Sequence, residues 1–399
     1  MFTDRVTHLQ VEGAYAVLAR AQALEAQGRR IVHLEIGQPD FPTPEHISAA
    51  GIQAIVEGKT KYTPPAGMPQ FRELIAETAG LQRGLNIDPA RVVVGPGSKP
   101  GLFFPTLALV APGDEVLYPD PGFPTYEAMI RVAGGTPVPV PLREEKDFSF
   151  DLDAFDHLIS DRTKLIILNS PANPTGGVIP LDDLEHIAEK AQKHNCWVLS
   201  DEIYTRLVYD GLTAHSIAEV NGILDRTVIV DGFSKTYSMT GWRLGYMIAP
   251  IKLAERLELL LTHATGCSAA FTQVAGMEAL TGSQDFVEQM VTEYQRRRDR
   301  ILELVNAIPG VHAQKPQGAF YVFPNISSYG LSSREIASRL IDEAGVAVLA
   351  GTDFGSGGEG YIRMVYAVSM EVIEEGMEKI AGWFRSLGRA CNPPLEGIG

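Results

Sequence analysis

The sequence predicts an α/β fold, a mostly parallel central sheet with helices on both faces, joined to a smaller α+β domain. Short apolar runs of strand length recur between Arg91 and Asp231, amphipathic helical patterns separate them, and beyond about Asp285 that rhythm stops. Parallel neighbours need a long return connection, so alternation of this kind points to crossover units feeding one sheet.

In chain order, residues 1–40 hold one helical pattern, 14–27, closed by Gly28, and then a link through Pro39, Pro42 and Pro44. Glycine suits the left-handed turn that ends a helix, and proline prevents its resumption. This segment is expected to pack with the small domain. The large domain is expected over 41–285, with strands at 92–94, 116–118, 165–168, 198–200 and 228–230. Leu181, Leu184, Ile187, Ala188 and Ala191 recur at helical spacing with Asp182, Asp183, Glu185 and Glu189 on other faces, which predicts a crossover helix. Residues 246–249 follow Lys235 too closely for a full helix to intervene, so an antiparallel strand inserted in the sheet is expected. The small domain, 286–399, should hold a charged helix around 294–304 and strands at 320–323, 346–349 and 361–365. No internal repeat or low-complexity segment is present.

The 399 residues, 45% hydrophobic and 21% charged, suit an enzyme-sized globular protein. A net charge of −15 opposes binding to nucleic acid or an anionic membrane, so an anionic ligand would need a few cations focused in a cleft. Cys196, Cys267 and Cys391 lie far apart with no His cluster nearby, which indicates neither disulfides nor a metal site. Residues 1–20 lack a signal-like apolar core and no later run reaches membrane-spanning length, so a cytoplasmic location is expected.

In open parallel sheets ligands bind beyond the carboxyl ends of the strands, so the polar residues after each run are the ones to question. After 92–94 come Gly95-Pro96-Gly97-Ser98-Lys99, opening a helix whose first amides could meet a phosphate; a tight turn with nothing bound is the plainer reading. After 165–168 come Asn169 to Gly176, including Asn173, a surface turn or an amide donor to an anionic oxygen. After 198–200 comes Asp201, a helix cap or a buried carboxylate, with Tyr204 three residues on. After 228–230 come Asp231-Gly232-Phe233-Ser234-Lys235, and then Arg243. A loop lysine is ordinarily a solvated charge, but one held at a strand end near Asp201 and Tyr204 can attack an aldehyde. Four weak signals at successive strand ends, in an order that one cofactor could use, are together strong.

The chain resembles the class I/II aminotransferases of pyridoxal-phosphate fold type I, close to bacterial aspartate aminotransferases. The resemblance spans about residues 31–367 and rests on L-E-I-G-Q-P-D-F-P-T-P, K-Y-T-P-P-A-G, N-S-P-A-N-P-T-G-G, S-D-E-I-Y, F-S-K-T-Y-S-M-T-G-W-R-L-G-Y and Y-I-R-M-V-Y-A. It implies pyridoxal 5'-phosphate held as a Schiff base on Lys235, with Lys235 also moving the proton at the substrate Cα. It implies that Asp201 keeps the pyridine nitrogen protonated and that Tyr204 and Asn173 hydrogen-bond the phenolic oxygen. Phe123 would stack on the ring where many relatives have Trp. Gly97, Ser98 and Arg243 would hold the phosphate, helped by Tyr62 of a second subunit, so a homodimer with shared sites is implied. Many relatives have Ser where this chain has Gly232, and Ser234 is the candidate replacement. Arg363, with Asn173 and the Gly37 backbone, would clamp the substrate α-carboxylate. Lys99, which also borders the cofactor site, would meet the distal carboxylate of aspartate or glutamate.

The resulting expectation is ping-pong transamination from an L-amino acid, aspartate first, to 2-oxoglutarate. A carbon-sulfur β-lyase, or an aminotransferase for aromatic or other neutral amino acids, would use the same cofactor residues. A nucleotide-binding protein is the remaining alternative, although Pro100 stands where the dinucleotide fingerprint requires glycine.

Overall fold

The computed structural model describes residues 2–391 apart from 8 and 10. Its centre is an eight-stranded sheet in the order Val92–Gly95, Gly245–Ile248, Thr227–Gly232, Trp197–Asp201, Thr163–Asn169, Glu115–Asp120, Thr136–Arg143, Ser149–Phe150. The five strands from Thr227–Gly232 to Thr136–Arg143 are mutually parallel. Gly245–Ile248 runs antiparallel between Val92–Gly95 and Thr227–Gly232, the inserted strand that its short connection predicts.

Both faces of the sheet are covered, which is why its strands read as unbroken apolar runs rather than alternating ones. Val93, Leu165, Ile167, Leu199, Val228 and Val230 pack with residues such as Leu102, Met129 and Leu257, from helices Lys99–Leu109, Thr125–Ala133 and Ile251–Ala264. The alternate residues Val92, Val94 and Ile229 pack with Phe71, Ile75 and Ala275, from helices Pro69–Arg83 and Ala270–Thr281. Ile166, Leu168 and Val198 meet Leu184, Ile187 and Ala188 of helix Leu181–Lys193. Burying each of the larger side chains contributes roughly 1.5–3 kcal/mol.

Strand Thr136–Arg143 escaped the sequence pattern because Pro137, Pro139 and Pro141 punctuate it. They alternate, so their missing N–H groups all face the outer side, where the Pro141 carbonyl accepts from Asp151 N; the Thr136 N–H faces inward to Asp114 O. Proline is tolerated on such an edge.

The C-terminal part holds helix Asp285–Asn306, helix Met370–Cys391 and two short sheets. The run expected as one strand at 346–349 is divided. Val346–Ala347 pairs with Val32–His33 in parallel, whereas Leu349–Ala350 pairs antiparallel with Ile362–Val365. Residues 346–350 are all buried, so the run carries no alternation to reveal the change of partner. Leu34 continues the link to the N-terminal segment, its carbonyl accepting from Val365 N at 2.9 Å. Among the described residues no helix is long and apolar enough to cross a membrane, and no group of acidic, His or Cys side chains is arranged to hold a metal ion.

Candidate active site

A cavity of about 870 Å³ lies beyond the carboxyl ends of the parallel strands, and Lys235, Asp201, Tyr204, Asn173, Arg243 and Arg363 all line it. Lys235 follows strand Thr227–Gly232 by three residues. Its Nζ donates to Gly37 O at 2.6 Å and lies 5.9 Å and 5.5 Å from the ring centres of Tyr204 and Phe320. Burial, reinforced by the cations Arg363 and Arg243, pushes its ammonium down to about 8. A neutral amine, the form that attacks an aldehyde, is therefore within reach near neutral pH.

Asp201 ends strand Trp197–Asp201 and is 5% exposed. Burial pushes its carboxyl up to about 7; the Tyr126 hydroxyl, donating to Oδ2 at 2.8 Å, opposes that rise, while the nearby charges of Asp231 and Glu202 add to it. Behind it, Arg83 donates to Glu202 at 2.9 Å and 2.7 Å and to Asp231 at 3.4 Å, tying the turn after Asp201 to the next strand. A cationic group in the cavity would restore the Asp201 charge.

Farther along the same carboxyl edge of the sheet, three glycines stand side by side in register: Gly95, Gly245 and Gly232. A Cβ on Gly245 would sit 2.5 Å from the Gly97 carbonyl carbon, and one on Gly232 3.0 Å from the Gly245 Cα. A side chain at 232 would press on the Gly245 backbone and the Leu244 carbonyl, so the packing there favours glycine. Gly97, at φ +87°, turns the chain into helix Lys99–Leu109, and a Cβ on it would lie 2.3 Å from the Arg243 guanidinium. Arg243 itself holds φ +54° and donates to Thr240 O at 2.9 Å. Helix amides, Ser98, Ser234 and a guanidinium thus border one end of the cavity.

Arg363 is 3% exposed; it donates to Asn173 Oδ1 at 3.1 Å and to the Glu35 carbonyl, while its buried Nε has no partner. Its guanidinium lies between rings, 4.6 Å from the Tyr321 centre and 4.9 Å from that of Phe354. Gly37 must be glycine, since a Cβ would sit 2.3 Å from the Tyr321 hydroxyl. Phe123 lines the cavity edge-on to Tyr126, with Lys99 Nζ 5.3 Å from its centre. Lys99 donates to Glu12 at 2.9 Å.

All the residues nominated from the sequence line the cavity except Gly97, which backs Arg243, and Tyr62, which is 97% exposed on the chain's surface. Sequence reasoning missed Tyr126, Tyr321 and Glu12 as participants. Tyr126 carries no signal of its own beyond lying three residues after Phe123, and Tyr321, whose hydroxyl meets that of Tyr204 at 2.6 Å, was legible only as part of an apolar run.

Residues 29–380 match the family model described as aminotransferase class I and II. The chain belongs to this family. The aminotransferase is 40% identical to the aspartate aminotransferase of Pyrococcus abyssi, covering 88% of this chain and 90% of that one. It is 39% identical to aromatic-amino-acid aminotransferase 2 of Thermococcus litoralis, covering 95% and 97%. The solved structure of Thermus thermophilus aspartate aminotransferase with maleate superposes at a TM-score of 0.92, with 39% identity over 96% of this chain and 99% of that one.

This aminotransferase is a pyridoxal 5'-phosphate enzyme, and its residues fit the group. The cavity offers an amine of lowered proton affinity, a buried carboxylate suited to a cationic ring, and a glycine-walled helix start beside Arg243 suited to a phosphate.

Proposed function

We propose that this aminotransferase moves the amino group of an L-amino acid, aspartate first, to 2-oxoglutarate in two half-reactions at one site. The observation that carries this reading is a single cavity lined by Lys235, Asp201, Arg363, Arg243 and Lys99. When bound, pyridoxal 5'-phosphate supplies an aldehyde for amines and a ring that accepts electrons from the substrate Cα. Lys235 would bind the aldehyde through Nζ and, once freed by the substrate amine, would carry the proton at the substrate Cα. Asp201 would keep the ring nitrogen protonated, and the amide of Asn173 and the hydroxyl of Tyr204 would donate to the ring oxygen. Arg243, Ser98, Ser234 and the Gly97 backbone would take the phosphate, and Phe123 would stack on the ring.

Arg363 grips the α-carboxylate, with Asn173 setting the guanidinium plane. Lys99 meets the distal carboxylate. Tyr62, an aromatic side chain left 97% exposed, completes the phosphate site of a second copy, making a homodimer the working unit. A second reading, transfer from aromatic donors, is favoured by Glu12, which already occupies Lys99.

A screen of amino-acid donors against 2-oxoglutarate tests the reading. Aspartate should rank among the best donors, and Lys235→Ala should abolish both turnover and the visible-edge absorbance of the loaded protein. A wild-type protein that stays colourless with pyridoxal phosphate, or transfers no amino group, would overturn it.

A further inference from the structure

Besides Lys235, Asp201, Arg243 and Arg363, the charged and imidazole side chains lining the cavity are Glu12, Glu25, Glu35, His33 and Lys99. Glu35 is fully buried; one of its oxygens meets His33 Nδ1 at 2.7 Å and the other has no partner. His33 Nε2 lies 3.2 Å from Glu25. Apart from Lys235, Arg243 and Arg363, whose roles are proposed above, Lys99 is the one lysine or arginine lining the cavity among the described residues, and Glu12 holds it.

Glu12 immediately precedes helix Gly13–Glu25, where a side chain would ordinarily cap the helix, yet it makes no cap bond and reaches Lys99 instead. The next residue, Gly13, lets the helix start lie against Asp353, which a Cβ would approach to 2.6 Å. The pair is open to solvent at the cavity, with side chains 48% (Lys99) and 27% (Glu12) exposed. Such pairs are weak, so a second carboxylate can replace Glu12 at a penalty below about tenfold.

Resting on the transaminase reading above, we propose that Glu12 is a specificity-determining residue: its carboxylate neutralises Lys99 when the substrate side chain is uncharged, and yields that ammonium to the distal carboxylate of a dicarboxylic substrate. One site can thereby take an aromatic donor and a dicarboxylic acceptor in turn. With an uncharged side chain present, Lys99 is not left unpaired over Phe123. With a dicarboxylate present, Glu12 turns back to solvent, which it already partly faces.

Two unreactive probes separate the cases: succinate, a dicarboxylate, and 3-phenylpropionate, a monocarboxylate with an apolar tail. Their dissociation constants are measured by calorimetry on the cofactor-loaded wild type, Glu12→Gln, Lys99→Ala and the double variant. Glu12→Gln should shift the selectivity ratio toward succinate by about fivefold or more, and Lys99→Ala should cancel that shift in the double variant. A ratio unchanged by Glu12→Gln, or a shift that survives loss of Lys99, would overturn the role of Glu12. Failure of the wild type to load cofactor would instead overturn the underlying functional reading.

Discussion

Tyr126→Phe is the sharpest probe of the carboxylate at the centre of the site. The substitution removes only the hydroxyl that donates to Asp201 Oδ2 at 2.8 Å, between two side chains that are 0% and 5% exposed. A hydrogen bond to a charged group contributes about 1.5–3 kcal/mol, and one pH unit of proton affinity corresponds to about 1.4 kcal/mol. Without the hydroxyl the Asp201 carboxyl, already near 7, should rise by a further one to two units or so. At neutral pH it would then be largely protonated and unable to balance a cationic ring. The assay is binding of pyridoxamine 5'-phosphate to the cofactor-free protein from pH 6 to 10. This form has no aldehyde and so forms no bond with Lys235. Affinity at pH 7.5 should fall about ten- to a hundredfold, and the rise of affinity with pH should move upward by one to two units. Unchanged affinity and an unchanged pH profile in a normally folded Tyr126→Phe protein would refute the assignment of Asp201 to the ring.

Gly97→Ala should weaken cofactor binding by roughly tenfold or more, measured by equilibrium dialysis, because a Cβ 2.3 Å from the Arg243 guanidinium displaces it and φ +87° strains the backbone. Arg363→Lys should raise KM for every amino-acid donor by roughly tenfold or more in steady-state assays, since one ammonium cannot copy a planar fork. Removing the cofactor should lower the melting temperature most between about pH 7 and 8, as read by differential scanning fluorimetry of loaded and cofactor-free protein.

Much of the sheet was legible because strands buried on both faces are apolar without interruption, and because Gly245–Ile248 lies too near Lys235 to leave room for a crossover helix. The proline-bearing strand Thr136–Arg143 was not, since proline reads as a breaker until its edge position is known. Candidate chemistry was legible where polar residues follow strand ends, as with Asp201 and Lys235. Tyr126 and Glu12 were hidden because their partners lie 75 and 87 residues away in the chain, and neither type is diagnostic by itself. The glycine at 232 read as a missing hydroxyl; the register Gly95, Gly245, Gly232 adds a tight packing that favours glycine there.

The site's two central ionisable groups depart from their ordinary values in directions that both penalise charge. The Asp201 carboxyl, raised from 3.8 to about 7, makes the cofactor-free fold lose stability as pH climbs through that interval, and the whole cost is present above about 7. The Lys235 ammonium, lowered from 10.5 to about 8, imposes its whole cost below about 8 and is relieved as pH rises toward 10.5. Only between about 7 and 8 are both penalties fully present, so there the empty cavity strains the fold most. A ligand that pairs a cationic ring with Asp201 and takes up the Lys235 nitrogen removes both costs, so its stabilisation should peak in that window. A melting-temperature difference that is flat with pH, or smallest near neutrality, would show that one of the two charges is balanced by something other than the cofactor.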